Sequence, residues 1–404
     1  MRNVLNIESA IPLLSSFGCE FPPFAIELQS MKVLVTGVKG FLGSNLAIHL
    51  KERGHVVLPY DRGNTLEELD EYLSQADFIV HLAGINRPLK EEEFLDGNVN
   101  FTKTLLDLLK ESGRRIPLFF SSSTQAEKDN PYGHSKKLAE DQIFSFAEES
   151  GNPVYVYRLY NVYGKWCRPN YNSVIATWCH SIARGEPITI NEAAPAIDFV
   201  YIDDVCNEIL SLIEGRKSPD PKLIHHPEPH DTVSLKEIAR LLRSFRESRV
   251  NASVPEIDTP FKKKLYSTYL SYLPEGEFSY GLKGHVDSRG SFTEILKKEG
   301  FGQISVNVIK PGITKGNHYH HTKNEKFLVL RGECLTEFRR IDSDEVISYR
   351  TREDKPEVID IPPGYTHSIA NIGKEDAIVL MWANEPFDPE NPDTHRLNVE
   401  EKTQ

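Results

Sequence analysis

The sequence predicts an α/β fold, a doubly wound parallel sheet, over residues 31–282 and an all-β barrel over residues 283–404. Three observations carry that prediction. Short β-branched runs alternate with amphipathic stretches from Met31 to Arg158; a glycine-rich turn, Gly37-Val38-Lys39-Gly40-Phe41-Leu42-Gly43, joins the first run to the first stretch; and beyond Gly284 no long helical period survives. Alternation of this kind means parallel strands covered by helices on both faces. Short alternating strands broken by Gly, Pro and Asp turns mean an antiparallel barrel or sandwich. A chain of 404 residues fits two or three domains at ~100–200 residues each.

Taken in order, residues 1–30 read as a disordered leader: apolar stretches broken by Glu8, Glu20 and prolines make a poor signal peptide, and Met31 is itself a natural start. Residues 32–36 are a strand because Lys32-Val33-Leu34-Val35-Thr36 is short and β-branched, and residues 41–53 continue as a helix. Strands follow at 55–60 and 77–82, a helix at 99–111, a strand at 117–121, a helix at 132–149 and a strand at 153–158. After Gly164 the pattern loosens, and residues 174–184, 205–214 and 235–248 read as helices of a smaller cap. The tyrosine-rich stretch Tyr266-Ser267-Thr268-Tyr269-Leu270-Ser271-Tyr272, leading into Pro274-Glu275-Gly276, reads as the junction before the β region.

Charge and cysteine usage narrow the function classes. A formal net charge of −12 and a pI of about 5.7 leave no electrostatic footprint for nucleic acid or an anionic membrane. No run approaches the ~20 apolar residues of a membrane span. The five cysteines are scattered, odd in number and never paired at metal spacing, which suits a reduced, cytoplasmic protein.

Gly37, Gly40 and Gly43 stand after a strand and open a helix, where glycine permits a tight turn and close backbone approach to a pyrophosphate. The second strand ends at Tyr60-Asp61-Arg62. An acidic residue there suits the ribose hydroxyl of NAD and an arginine the 2′-phosphate of NADP. The reading leans to NADP(H), with Arg62 on the phosphate and Asp61 turned outward, and leaves NAD open. Tyr132 and Lys136, four apart on a helix, share one face, and a nearby ammonium is expected to lower the phenol toward use as a general acid. Ser121-Ser122-Ser123-Thr124 ends the preceding strand, where a hydroxyl can bind a substrate carbonyl.

Together Thr36–Gly43, His81-Leu82-Ala83-Gly84, Pro131-Tyr132-Gly133-His134-Ser135-Lys136 and Phe199-Val200-Tyr201-Ile202-Asp203-Asp204-Val205 resemble the extended short-chain dehydrogenase/reductase family, a Rossmann-type fold. The resemblance implies Ser123 as carbonyl-binding hydroxyl, Tyr132 as acid/base and Lys136 as cofactor-ribose ligand. It places the cofactor on Gly37, Gly40, Phe41, Leu42, Gly43, Asp61, Arg62, Leu82 and Ala83, and a sugar nucleotide on Asn161. The segment between Ser123 and Tyr132 is short for the family.

His318 and His320 are two apart, so on a strand both imidazoles face one side and His321 the other. Glu325 and His367 complete a set of three imidazoles and one carboxylate, which suits zinc while leaving iron and manganese open. The spacings Gly312-(x)5-His318-x-His320-(x)4-Glu325-(x)6-Gly332 and Pro362-x-Gly364-(x)2-His367-(x)3-Asn371 resemble the two cupin motifs, with Pro356 where the second motif expects glycine. Asp287-Ser288-Arg289-Gly290-Ser291-Phe292-Thr293-Glu294 is similar to a stretch in metal-free sugar-nucleotide epimerases of that superfamily.

A reductase followed by a cupin, with Gly164-Lys165-Trp166-Cys167-Arg168-Pro169-Asn170-Tyr171-Asn172-Ser173 and Lys315-Gly316-Asn317-His318, resembles a family of bifunctional capsular-polysaccharide enzymes. That resemblance implies a UDP-linked 4-keto-6-deoxy amino sugar as substrate, with Lys165, Arg168 and Asn172 joining Asn161 around it. It implies C3 epimerisation of a UDP-2-acetamido-2,6-dideoxy-4-hexulose in the cupin, NADPH-dependent reduction to UDP-2-acetamido-2,6-dideoxy-L-talose on the way to N-acetyl-L-fucosamine, zinc, and a homodimer. The alternative keeps the reductase and makes the cupin a structural or dimerising module.

Overall fold

The computed structural model describes residues 29–88, 90–390 and 392–401, so the expected leader lies almost wholly outside the described residues. The chain divides into two compact units, one running to Arg158 and including Val205–His226, the other formed by Leu159–Asp204 with Pro227 onward.

In the first unit the strands β1 (Lys32–Thr36), β2 (Val56–Tyr60), β3 (Phe78–His81), β4 (Leu118–Ser123), β5 (Val154–Leu159) and a two-residue strand Ile224–His225 form one sheet, ordered with β1 between β2 and β3 and then β4, β5 and Ile224–His225. The pairs β1–β2, β1–β3 and β3–β4 are parallel, as expected for strands joined through helices. Their side chains Leu34, Ile79, Phe120 and Val156 make a core with Leu69, Leu105 and Ile143 from the helices. The helix α1 (Phe41–Glu52) begins at Gly40 with no side-chain cap, which leaves its first N–H groups for a ligand. A helix absent from the sequence reading, α2 (Leu66–Gln75), opens on a full capping box between Thr65 and Glu68. The helix expected from residue 99 instead starts as a single turn α3 (Glu92–Phe94), widens into a π-helical turn at Leu95–Asn100 and continues as α4 (Phe101–Glu111). The helix α5 (Pro131–Ser150) is capped by Asn130, has Pro131 in its first turn and ends at Gly151 in the left-handed region.

The second unit contains a small sheet of β6 (Asn161–Tyr163), β7 (Ile197–Tyr201) and Asp231–Val233, with α6 (Val174–Ala183), a helix at Leu235–Val250 and another at Pro260–Leu270. The tyrosine-rich stretch falls in that last helix rather than in a linker. Phe261, Leu265 and Tyr269 recur every four residues and are buried against Ile182 and Phe245, with Tyr272 beside them; aromatics at helical spacing fill a core.

Beyond residue 283 the strands among the described residues form two antiparallel sheets. One holds Gly284–Asp287, Gly290–Lys298, Gly302–Ile309, Ala377–Ala383, Glu325–Arg331 and Val358–Ile361, and the other Val346–Arg352, Glu333–Arg340, Tyr365–Asn371, Thr314–Tyr319 and His395–Arg396. Ile309, Phe327, Val329 and Val379 from the first meet Cys334, Phe338 and Ile369 from the second. The parallel α/β sheet and the all-β region are the two folds expected. Among the described residues no helix is long and apolar enough to cross a membrane.

Candidate active site and metal centre

The glycine turn is built so that no side chain fits. Gly37 lies at φ 71°, and a Cβ there would come within 2.9 Å of the Ala83 backbone; a Cβ on Gly43 would meet the Gly37 carbonyl oxygen at 2.3 Å. Only glycine lets the turn close this tightly on its own backbone, and the uncapped N–H groups at the start of α1 then suit a pyrophosphate, so the turn fits a dinucleotide. Asp61 does not turn outward as expected. Its carboxylate accepts the Lys39 backbone N–H at 2.8 Å and that of Arg62 at 2.9 Å, because the turn itself presents an N–H that needs an acceptor. The Arg62 side chain is exposed at the rim.

Behind the turn runs a buried polar chain that the sequence reading missed. His81 Nε2 is 2.9 Å from the Thr102 hydroxyl, which itself donates to the Asn98 carbonyl. That hydroxyl must therefore accept from His81, so Nε2 carries the proton and Nδ1 accepts from Thr36 at 2.7 Å. Burial, aided by the charge of Lys136, holds the imidazole down to about 3, so it stays neutral. Thr36 in turn accepts the Ala83 N–H at 3.2 Å, locking the turn that meets Gly37.

Ser123 ends β4, and Tyr132 and Lys136 lie on α5. The short segment between them is a 3-10 turn, Thr124–Glu127, packed so tightly on α5 that a Cβ at Gly133 would lie 2.2 Å from the Gln125 carbonyl oxygen. That packing sets the Ser123 hydroxyl near the Tyr132 phenol. Lys136 is 5% exposed, and its ammonium donates to the Ser121 carbonyl at 2.8 Å. Burial lowers it to about 8. The expected lowering of Tyr132 is not found: burial pushes the phenol up to about 12, against a smaller opposing influence of the Ser123 hydroxyl. The ammonium is engaged with the β4 carbonyl rather than the phenol, so Tyr132 stays protonated and is a proton donor. Asn98, in the π-helical turn, also escaped the sequence reading; it receives the Ile85 N–H at 2.7 Å and donates to Ser135 at 2.9 Å. A widened turn turns that amide inward, and no residue pattern announces it.

In the second unit Asn161 lies on β6, its amide donating to the Asp198 carbonyl at 3.1 Å. Lys165 pairs with Asp203 at 2.5 Å, and Arg168 covers the Tyr171 ring. Asn172 is exposed on the same loop, where Trp166 and Asn170 adopt positive φ.

In the barrel the structure brings together all four residues expected to hold a metal. One donor atom from each of His318, His320, Glu325 and His367 lies within 4.8 Å of the others. His318 pairs opposite His367 across neighbouring strands, and Glu325 opens the strand of the facing sheet. His320 Nε2 and His367 Nε2 are buried without a hydrogen-bond partner, 3.7 and 3.6 Å from Glu325 Oε2, too far to bond it. Their Nδ1 atoms face the backbone carbonyls of Asp393 and Tyr365, which leaves the Nε2 lone pairs inward. Burial holds the His318 imidazole down to about 4, hence neutral. Burial alone would raise the Glu325 carboxyl, yet it lies well below the usual range, with the Lys323 ammonium 3.3 Å away favouring its charge. Three imidazoles and one carboxylate, two of the imidazoles with orphaned inward nitrogens, fit a divalent cation. His318, Glu325 and His367 line a cavity of about 390 Å³ with Lys315, Asn307 and Trp382.

Residues 33–224 match the NAD dependent epimerase/dehydratase family, and residues 285–395 match the polysaccharide biosynthesis C-terminal domain. The crystal structure of the capsular polysaccharide assembling protein CapF from Staphylococcus aureus superposes with a TM-score of 0.85 at 49% identity, covering 91% of this chain and 100% of that one. The UDP-2-acetamido-2,6-beta-L-arabino-hexul-4-ose reductase of Pseudomonas aeruginosa is 46% identical over 372 residues, 92% of this chain and 100% of the relative. The chain belongs to the CapF family. A CapF structure with the inhibitor 3-isopropenyl-tropolone also matches, with a TM-score of 0.82 at 44% identity.

Proposed function

We propose that this CapF-family chain is a bifunctional nucleotide-sugar enzyme of the cytoplasm and acts as a homodimer. It inverts C3 of a UDP-2-acetamido-2,6-dideoxy-4-hexulose in the barrel, residues 283–404, and reduces the C4 ketone with NADPH in residues 31–282, yielding UDP-2-acetamido-2,6-dideoxy-L-talose. The observation that carries this reading is the presence in one chain of Ser123, Tyr132 and a buried Lys136 beside a dinucleotide cradle and a four-donor cluster on a cavity. The 46%-identical reductase of Pseudomonas aeruginosa supports the substrate class.

A bound NADPH supplies the hydride for C4. Ser123 orients the ketone through its hydroxyl, and Tyr132 gives the carbonyl oxygen a proton, so the ketone gains one hydride and one proton. Lys136, beside the cradle, holds the cofactor ribose, and Asn161, Lys165, Arg168 and Asn172 hold the sugar nucleotide. In the barrel a zinc ion held by His318, His320, Glu325 and His367 would polarise the ketone. The cavity walls hold the sugar while a proton leaves C3 and another returns to the opposite face. Epimerisation must come first, because reduction removes the ketone that acidifies the C3–H.

The test is product stereochemistry by NMR in deuterated water, with and without NADPH. Deuterium at C3 without cofactor, and a reduced talo product with it, is the expected result. A His318→Ala/Glu325→Ala double variant should lose the deuterium uptake and still reduce sugar already epimerised. If that variant exchanges deuterium at the parent rate, the cupin is structural and only the reductase stands.

A further inference from the structure

The loop from His320 to Glu325 carries a clustered donor at each end, and a single carboxylate from the C-terminal strap grips it. Asp393 Oδ1 accepts the His321 N–H at 2.9 Å, while Oδ2 accepts the N–H groups of His321, Thr322 and Lys323 at 3.1, 2.7 and 2.8 Å and the Thr322 hydroxyl at 3.0 Å. The backbone carbonyl of the same residue takes His320 Nδ1. An imidazole bonded there through Nδ1–H presents its Nε2 lone pair to the cluster.

The strap is anchored on both sides of this contact. Upstream, Asn384 exchanges hydrogen bonds with Asn324, its side chain accepting the Asn324 N–H at 3.1 Å and its own N–H reaching the Asn324 carbonyl at 3.1 Å. Downstream, Arg396 and His395 pair with His318 and Tyr319, and buried Arg339 donates to the carbonyls of Asn398 and Val399 at 3.1 and 2.8 Å. The strand bearing His318 therefore has His367 on one edge and the strap on the other. Asp393 is thus held from downstream by contacts outside the loop it grips, while Asn384 ties the strap to the loop a second time.

The geometry points to Asp393 as a positioning residue of the metal centre: its carboxylate sets the path of the chain between His320 and Glu325, and its carbonyl fixes the His320 tautomer. This rests on the metal reading proposed above. Asp393 touches no cation itself. An amide at this position keeps one acceptor oxygen and turns an NH₂ toward backbone N–H groups that need acceptors, so the loop loses its grip and the two end donors lose their spacing.

The experiment uses the full chain and zinc itself, titrated against a chromogenic chelator, with the parent measured first. Asp393→Asn is expected to weaken zinc about 10–100-fold, the range for partners of metal ligands, and to change the visible spectrum of the cobalt-loaded protein. Urea unfolding of the metal-stripped forms should coincide. Thr322→Val, which removes one of the bonds, should weaken zinc a few-fold, and Asp388→Asn, an exposed carboxylate that accepts only the Glu390 N–H among the bonds seen, should change nothing. Parent-like zinc affinity and cobalt spectrum in Asp393→Asn overturn the inference. So does a metal-stripped Asp393→Asn that unfolds early while Thr322→Val binds zinc like the parent, since Asp393 then acts on the barrel alone. A parent that takes up neither metal removes the metal reading first, and this inference with it.

Discussion

Replacing Lys136 by methionine is expected to make the first unit more stable at neutral pH while disabling it as a reductase. The ammonium is 5% exposed, and burial brings it from 10.5 to about 8. A shift of roughly 2.5 units at 1.36 kcal/mol each is about 3 kcal/mol of penalty for keeping the folded group charged. The unfolded chain holds this proton until about 10.5 and the folded chain only until about 8. Within that window the unfolded state binds more protons, so stability rises with pH; below it the whole penalty is present. Methionine removes the penalty and also the bond to the Ser121 carbonyl, worth about 1 kcal/mol. The net gain is about 1–3 kcal/mol at pH 7, shrinking to nothing or reversing by about pH 10.5. Urea unfolding followed by the far-ultraviolet helix signal, on parent and variant at pH 7 and pH 10, reads this difference directly. Reductase activity should fall by about one to two decades, the worth of one charged hydrogen bond. A variant less stable than the parent at pH 7, by an amount that does not change with pH, would refute the reasoning.

Tyr132→Phe should lower reduction ~10²–10⁴-fold and leave deuterium exchange at C3 untouched; unchanged NADPH oxidation removes the assignment. Arg62→Ala should cost NADPH about one to two decades of affinity relative to NADH, from the loss of a charged hydrogen bond. An unmoved preference would give the choice to Asp61. Gly43→Ala sets a Cβ against the Gly37 carbonyl oxygen at 2.3 Å, an overlap that typically costs 1–3 kcal/mol. NADPH binding by calorimetry should weaken at least tenfold while the barrel's unfolding stays at the parent level, and parent-like binding would show that the turn yields.

Several features of the site were readable because they depend on spacing along the chain. Gly37 and Gly43 announce themselves by residue type at a strand–helix turn, and the structure gives each a backbone oxygen or Cα that forbids a side chain. His318 lies on a strand and His320 follows its last residue, Tyr319, so the alternation of the pleat carries both into one cluster. The capping box Thr65–Glu68 was equally readable and was passed over. The stretch Tyr266–Tyr272, read as a junction, lies mostly in a helix, because Phe261, Leu265 and Tyr269 share one buried helical face.

Sequence by itself determined the two fold classes, the glycine turn, the Tyr132–Lys136 spacing and the His318-x-His320 spacing, since each rests on local periodicity or on steric limits of a few neighbouring residues. Tertiary structure alone decided that burial raises Tyr132 and lowers Lys136, because desolvation depends on what packs around a group and not on its neighbours in the chain. It alone turned Asp61 onto the Lys39 N–H and set Asp393 across the His320–Glu325 loop from about seventy residues away. Contacts between residues so far apart in sequence are set by how the chain closes on itself, and no local pattern records that.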